Sequence, residues 1–243
     1  METWSVPALE VGILTKGKPT LGLTLGTLLL QQGIPLRVYV VDTAEKPTIQ
    51  RDDVLFTLKL AQERGIPCDY EYLPEKDRAF SLGRLKLLEG LSGEHLCFLD
   101  DDIALPSGTL FRVAEALAGV EVYGFCAPTC RNSPGAAGQY VPGSIFYADE
   151  RVRHILTEYY ATTTDLLDRG RSRRSVWEIA FLCELFLALG RPCISQPDNV
   201  IYHLDYHEAP HPALFDDDLL IRSRTLAREL ARKYGPPDIP SVV

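Results

Sequence analysis

The sequence predicts an α/β domain built on a mainly parallel sheet with helices on both faces, and three observations carry that expectation. Runs rich in β-branched and aromatic residues alternate with segments of helical period through the first half of the chain. The connections between successive runs are too long for hairpins, as crossover helices require. At 243 residues the chain is long enough to bury about 70% of its unfolded surface, so it needs no disulfide or metal staple.

The elements follow in order. Residues 11–15 read as a short buried strand, ended by the turn Lys16-Gly17-Lys18-Pro19. A helix comes next, with Leu21, Leu25, Leu28 and Leu29 on one face, and Gly33 and Pro35 stop it. Residues 36–41 (LRVYVV) form a central strand that ends at Asp42. Residues 52–64 form a second helix whose apolar face is Val54, Leu55, Leu58 and Ala61, with Gly65 at its end. A third strand covers 68–73 and a third helix 81–91. HLCFL, residues 95–99, is a fourth strand that runs directly into Asp100-Asp101-Asp102. Pro106 and Ser107 open a helix reaching Leu117, and 120–127 return as a strand.

Beyond this point the rhythm changes. Residues 129–143, rich in Gly, Ala, Pro and Asn, read as a loop; 144–147 read as a short strand and 150–160 as a helix. The polar stretch 162–175 carries Arg169, Arg171, Arg173 and Arg174. Residues 176–189 form a buried helix, 193–203 are extended, and a basic amphipathic helix over 219–234 follows. No repeat or linker divides the chain. The expectation is one domain over 1–243, with parts at about 1–128, 129–218 and 219–243.

Composition excludes several classes. Apolar residues at 46% and charged residues at 24% are those of an ordinary globular protein, not of a disordered or fibrous chain. A net charge of −8, from 25 basic and 33 acidic residues, argues against a nucleic-acid partner held through its backbone. The most apolar stretch, 179–189, is about half the ~20 residues a spanning helix needs and contains Glu184. Residues 1–10 lack the basic start and apolar core of a signal peptide, so a cytoplasmic location is expected. Arg222, Arg224, Arg228, Arg232 and Lys233 make the last helix either a solvated face packed through Leu226 and Leu230 or a peripheral contact for an anionic membrane. Of the six cysteines, only Cys126 and Cys130 approach a paired metal spacing; buried free thiols are expected, above all Cys97, Cys126 and Cys183 in their apolar runs.

Function concentrates at the acids. Ligands of open parallel sheets bind outside the carboxyl ends of the strands, which is where Asp100, Asp101 and Asp102 fall. Like charges within ~4 Å raise one another's pKa, and a hard divalent cation with oxygen ligands relieves the cost. The cluster therefore points to Mn²⁺ or Mg²⁺. Asp216-Asp217-Asp218, by contrast, precedes a helix and reads as a cap. Gly12 to Lys18 also has the G-x4-G-K spacing of a phosphate loop, which keeps an NTPase or nucleotide-binding regulatory module as the alternative. Pro19 stands where that motif needs a hydroxyl, and Gly12 lies inside the first strand.

The strand ending in Thr15-Lys16-Gly17-Lys18-Pro19, the second strand ending in Asp42 and FLDDDI at 98–103 resemble the nucleotide-sugar half of a family 2 glycosyltransferase with the GT-A fold. Gly143-Ser144-Ile145-Phe146, Trp177-Glu178 twelve residues ahead of Gly190, and His203 continue the likeness over about residues 11–205. The resemblance implies a nucleotide-diphosphate sugar as donor, a hydroxyl-bearing acceptor and transfer with inversion. It implies Asp102, Asp100 and His203 at the metal, Asp101 toward the ribose and Asp42 on the nucleobase. Thr15, Lys18, Arg78 and Arg84 would line the donor, Gly143, Ser144 and Trp177 the acceptor side, and Glu178 would be the base. The chain has Ile179 where the family carries a second acid, and Glu184 is the next acid along. His207 and His211 read as loop residues, and the arginines of 169–174 as either a lid over the diphosphate or a solvated loop. A relative that binds donor and transfers nothing is a further alternative.

Overall fold

The computed structural model describes residues 6–74, 79–131, 144–163, 174–204 and 217–235, with only the backbone at 144, 174–177 and 217–220. The strands are β1 (Leu9–Thr15), β2 (Leu36–Asp42), β3 (Cys68–Tyr72), β4 (His95–Asp100), β5 (Ile103–Ala104), β6 (Phe125–Arg131), β7 (Ser144–Tyr147) and β8 (Ile194–His203). The helices are α1 (Leu21–Leu29), α2 (Asp52–Glu63), α3 (Ala79–Gly90), α4 (Thr109–Leu117), α5 (Glu150–Thr162), α6 (Arg174–Ala188) and α7 (Asp217–Lys233). The strands form one eight-stranded sheet in the order β3-β2-β1-β4-β7-β6-β8-β5. β3, β2, β1 and β4 are mutually parallel. The short β7 runs against both β4 and β6, and β8 is parallel to β6. The expected mainly parallel α/β architecture is present.

Alternate side chains of each central strand leave by opposite faces, and each face has its own core. From β2 and β4, Tyr39, Val41, Leu96 and Phe98 join Leu87 of α3, Ile155 and Tyr159 of α5, Phe181 and Phe186 of α6 and Leu230 of α7. Val38, Val40, Cys97 and Leu99 point the other way, onto Leu21, Leu25 and Leu28 of α1, Val54 of α2 and Leu110 and Val113 of α4. Burial on both sides explains why these strands read as continuous apolar runs.

Several boundaries differ from expectation. α4 starts at Thr109 because Gly108 stands in the left-handed region, at φ +75°, and interrupts the helix expected from Pro106. β6 starts at Phe125 rather than Val120. In 120–124 Tyr123 and Gly124 are buried, Val120 is half-buried, Val122 is exposed, and a Cβ on Gly124 would meet Phe186 at 2.6 Å. Strand β5 was not anticipated, and residues 129–131 belong to β6 rather than to the loop expected there. All six cysteines are free, yet Cys183 is exposed, because Leu182, Leu185 and Phe186 occupy the inward face of α6. Among the described residues no helix is long and apolar enough to cross a membrane.

Candidate functional site

The carboxyl ends of β1, β2 and β4 lie side by side: Thr15 pairs with Asp42 on one side, and Leu14 with Asp100 on the other. The turn from β1 to α1 crosses this edge. Gly17, at φ +89°, closes it with its N–H on Thr15 Oγ1 at 3.0 Å. Arg51 holds the far side of the turn, donating from Nη1 to the Lys18 carbonyl at 2.6 Å and from Nη2 to the Pro19 carbonyl at 2.7 Å. Gly12 lies within β1, paired with Tyr39 and Phe98, so the G-x4-G-K spacing does not form a phosphate loop.

Each of the three acids is held differently. Thr15 Oγ1 donates to Asp101 Oδ2 at 2.5 Å, and Thr20 Oγ1 donates to the Asp101 carbonyl at 3.0 Å. Burial pushes the Asp101 carboxyl up, with the Thr15 hydrogen bond pulling the other way. Asp101 is thus a buried tie between β4 and the β1–α1 turn. Asp102 is 2% exposed. The Lys18 ammonium sits on its Oδ2, His203 Nε2 stands 3.4 Å from the same oxygen, and Oδ1 is buried with no hydrogen-bond partner among the described residues. Asp100 is the most open of the three, its side chain 28% exposed, with Arg84 Nη2 3.9 Å from Oδ1. Desolvation pushes its carboxyl up to about 7 against the pull of Arg84.

His203 reaches the acids through a bulge. β6 and β8 pair in register up to Pro128 opposite Gln196, then shift so that Thr129 lies opposite Val200. Buried Asn199 anchors the bulge, donating to the Thr109 carbonyl at 3.0 Å and accepting from Arg112 Nε at 3.0 Å. The realigned strand pairs His203 with Ile103 in β5, and Leu204 N–H donates to the Asp102 carbonyl at 2.7 Å.

Glu178 and Arg84 meet as a buried pair, a contact the sequence did not signal. Both are 3% exposed. Arg84 clasps Glu178 through two parallel bonds, Nε to Oε1 at 2.8 Å and Nη2 to Oε2 at 2.9 Å, and the Tyr160 hydroxyl also donates to Oε1. The guanidinium lies 5.0 Å from the ring centre of Phe80 and 4.8 Å from that of Phe98. Burial works against its charge, but Glu178, Tyr160 and Asp100 together hold it above its ordinary value. With both oxygens engaged and the residue 3% exposed, Glu178 is the buried counter-ion of Arg84. Arg84, in turn, faces Glu178 and Asp100 rather than an open phosphate site.

Asp42 is likewise committed internally. It is fully buried: Oδ1 accepts from Ala44 N–H at 2.9 Å, and Oδ2 accepts from Thr48 N–H at 2.6 Å, from Thr48 Oγ1 at 2.7 Å and from the Tyr70 hydroxyl. Its carboxylate thereby shapes the 42–48 turn. Tyr160, Tyr70, Thr20 and Thr48 were not singled out from sequence. For Tyr160 a signal existed: Val152, Ile155, Leu156, Tyr159 and Tyr160 all fall on the buried face of α5, and a buried phenol needs an acceptor. Arg78, Gly143, 164–173, His207, His211 and Asp216 lie outside the described residues, as do the side chains of Ser144, Trp177 and Arg174. The backbone of Ser144 pairs with Phe98, two residues before Asp100.

Among the described residues no group of three His, Cys, Asp or Glu side chains stands ready to hold a metal ion. Asp102 and His203 nevertheless form a two-residue oxygen–nitrogen set with one carboxylate oxygen unsatisfied, which fits Mn²⁺ or Mg²⁺ completed by ligand oxygens.

No protein-family model and no curated protein sequence matches the chain. Solved structures do. A mannosyltransferase from Pyrobaculum calidifontis, in complex with GDP-Man and Mn²⁺, shares 17% identity at a TM-score of 0.56, over 94% of this chain and 74% of its own. S. aureus TarS 1–349 with UDP-GlcNAc shares 14% at a TM-score of 0.61, over 92% of this chain and 66% of its own. A further TarS structure is matched over 36% of its own length.

Proposed function

The fold is the one these nucleotide-sugar-bound glycosyltransferases share, and from it we propose that the chain moves a sugar from a UDP- or GDP-linked donor to an acceptor hydroxyl, with inversion and with Mn²⁺ or Mg²⁺ at Asp102. The observation that carries this reading is Asp102 itself, a buried carboxylate at the carboxyl edge of the sheet with one oxygen unsatisfied and an imidazole beside the other. A bound divalent cation supplies Lewis-acid stabilisation of the departing diphosphate.

The chain's own residues do the rest. Asp102 and His203 hold the cation, and the Asn199 bulge keeps the imidazole at that carboxylate. Thr15 fixes Asp101, so the strand end stays in place as the donor seats. Asp42 shapes the turn against which the nucleobase packs. Arg84 and Glu178 act as a positioning pair beneath Asp100. Arg78, Gly143, Ser144 and Trp177 are the remaining donor and acceptor contacts in this reading.

One observation favours a second reading, a donor-binding protein without transfer: Glu178 has both oxygens engaged, and the next residue is Ile179. Thermal shift and calorimetry with UDP- and GDP-sugars, with and without Mn²⁺, test the first step. Binding that needs the metal and is lost in Asp102→Asn is expected; metal-independent binding that Asp102→Asn leaves intact would overturn the cation assignment. Sugar transfer across an acceptor panel then separates the two readings.

A further inference from the structure

Two cations would share one buried carboxylate at the cluster. Lys18 Nζ is paired with Asp102 Oδ2, and a divalent ion coordinated by that carboxylate would stand about 2.0–2.6 Å from its oxygen. An ammonium hydrogen-bonded to the same carboxylate would then lie within a few ångströms of a doubly positive ion, with little water between them, because the Asp102 side chain is only 3% exposed. Each therefore weakens the other's hold on the carboxylate.

The turn is built so that Lys18 can yield. Arg51 grips its carbonyl and that of Pro19, and Gly17 is tied to Thr15, so the backbone is fixed. The side chain is 41% exposed and carries four methylenes, so the ammonium swings without moving the turn. A diphosphate arriving beside the cation would give the displaced ammonium a new anionic partner.

We propose that Lys18 is a built-in counter-cation for Asp102, a latch that weakens binding of the metal alone and moves to the donor's diphosphate when metal and donor bind together. The inference rests on the cation assignment of the preceding section. Its consequence is coupling: the donor raises metal affinity partly by drawing Lys18 away, and by linkage the metal raises donor affinity by the same factor.

The test is Mn²⁺ titration at fixed pH, followed by electron paramagnetic resonance of free Mn²⁺, with wild type, Lys18→Met, Lys18→Arg and Asp102→Asn, each with and without UDP or GDP. Lys18→Met should bind Mn²⁺ alone about tenfold more tightly than wild type, and the further gain on adding nucleotide should shrink. Lys18→Arg keeps the charge and should stay near wild type, and far-ultraviolet circular dichroism checks that each variant is folded. If Lys18→Met binds Mn²⁺ with unchanged or lower affinity while Asp102→Asn abolishes it, the latch is refuted and the cation site stands. If neither wild type nor Lys18→Met binds Mn²⁺ with or without nucleotide, the cation assignment falls and the latch with it.

Discussion

Glu178→Gln separates the two roles that this carboxylate has been given. The substitution keeps the shape and one acceptor oxygen but removes the charge that Arg84 faces at 2.8 and 2.9 Å. The guanidinium is 3% exposed, already carries a buried Nη1 without a partner, and would be left with Asp100 at 3.9 Å. Removing one member of a buried ion pair costs about 3–5 kcal/mol, because the other charge stays behind uncompensated. For a chain of this size about 1 kcal/mol shifts the melting temperature by roughly 2–4 °C, so a fall of about 6–20 °C is expected. Urea denaturation at constant m-value gives the free energy directly. The double variant Arg84→Met/Glu178→Leu, which replaces the pair with apolar groups of similar volume, should recover most of the loss. A Glu178→Gln protein as stable as wild type, folded and lacking only sugar transfer, would refute the clasp and restore Glu178 as the base.

Three further outcomes follow from local geometry. Gly90→Ala would push a Cβ to 2.0 Å from the Tyr39 ring and should cost about 1–3 kcal/mol, whereas Gly26→Ala, in α1 with nothing within 4 Å, should stabilise by about 0.5–1 kcal/mol; chemical denaturation of both reads the contrast. Asp42→Ala would orphan the Thr48 and Ala44 amides and the Tyr70 hydroxyl, and faster hydrogen exchange across 44–50 with a loss of about 3 kcal/mol is expected. His95, half-buried against Tyr123 and Tyr147, is held below its ordinary value by burial, with Glu94 pulling weakly the other way. Below about pH 6.5 the unfolded chain therefore binds more protons than the folded one. The stability contributed by neutral His95 is full above that pH and declines as pH falls toward the lowered folded value. Relative to His95→Gln, the wild type should therefore lose melting temperature between pH 7.5 and 5.5, while the raised Asp100 carboxyl, common to both proteins, works in the opposite direction.

What the sequence made legible follows from range. β1, β2 and β4 are buried on both faces and show as unbroken apolar runs, and the acids after HLCFL mark the ligand edge with no knowledge of any partner. The Arg84–Glu178 pair spans 94 residues, and no local pattern connects α3 to α6. Glu178 at a helix start beside Trp177 therefore reads as a cleft residue, although the helix turns it onto Arg84. β5 is two residues long and exists through β8, whose register depends on the bulge at Asn199. Asp42 shows at its strand end, but the four donors that surround it come from residues up to 28 positions away. Position at an edge was readable; which edge residues were already satisfied was not.

The reversed β7 strand has an engineering consequence. Because it runs against both neighbours, β4 and β6 point the same way, and the ends of β1, β4, β6 and β8 gather on one rim. The opposite rim is made of the bends at 31–35, 64–67, 91–94 and 118–124. A fluorophore, affinity tag or surface tether attached at the exposed Glu121 would sit a full strand length from Asp102, leaving the chemistry undisturbed while the molecule is immobilised or tracked.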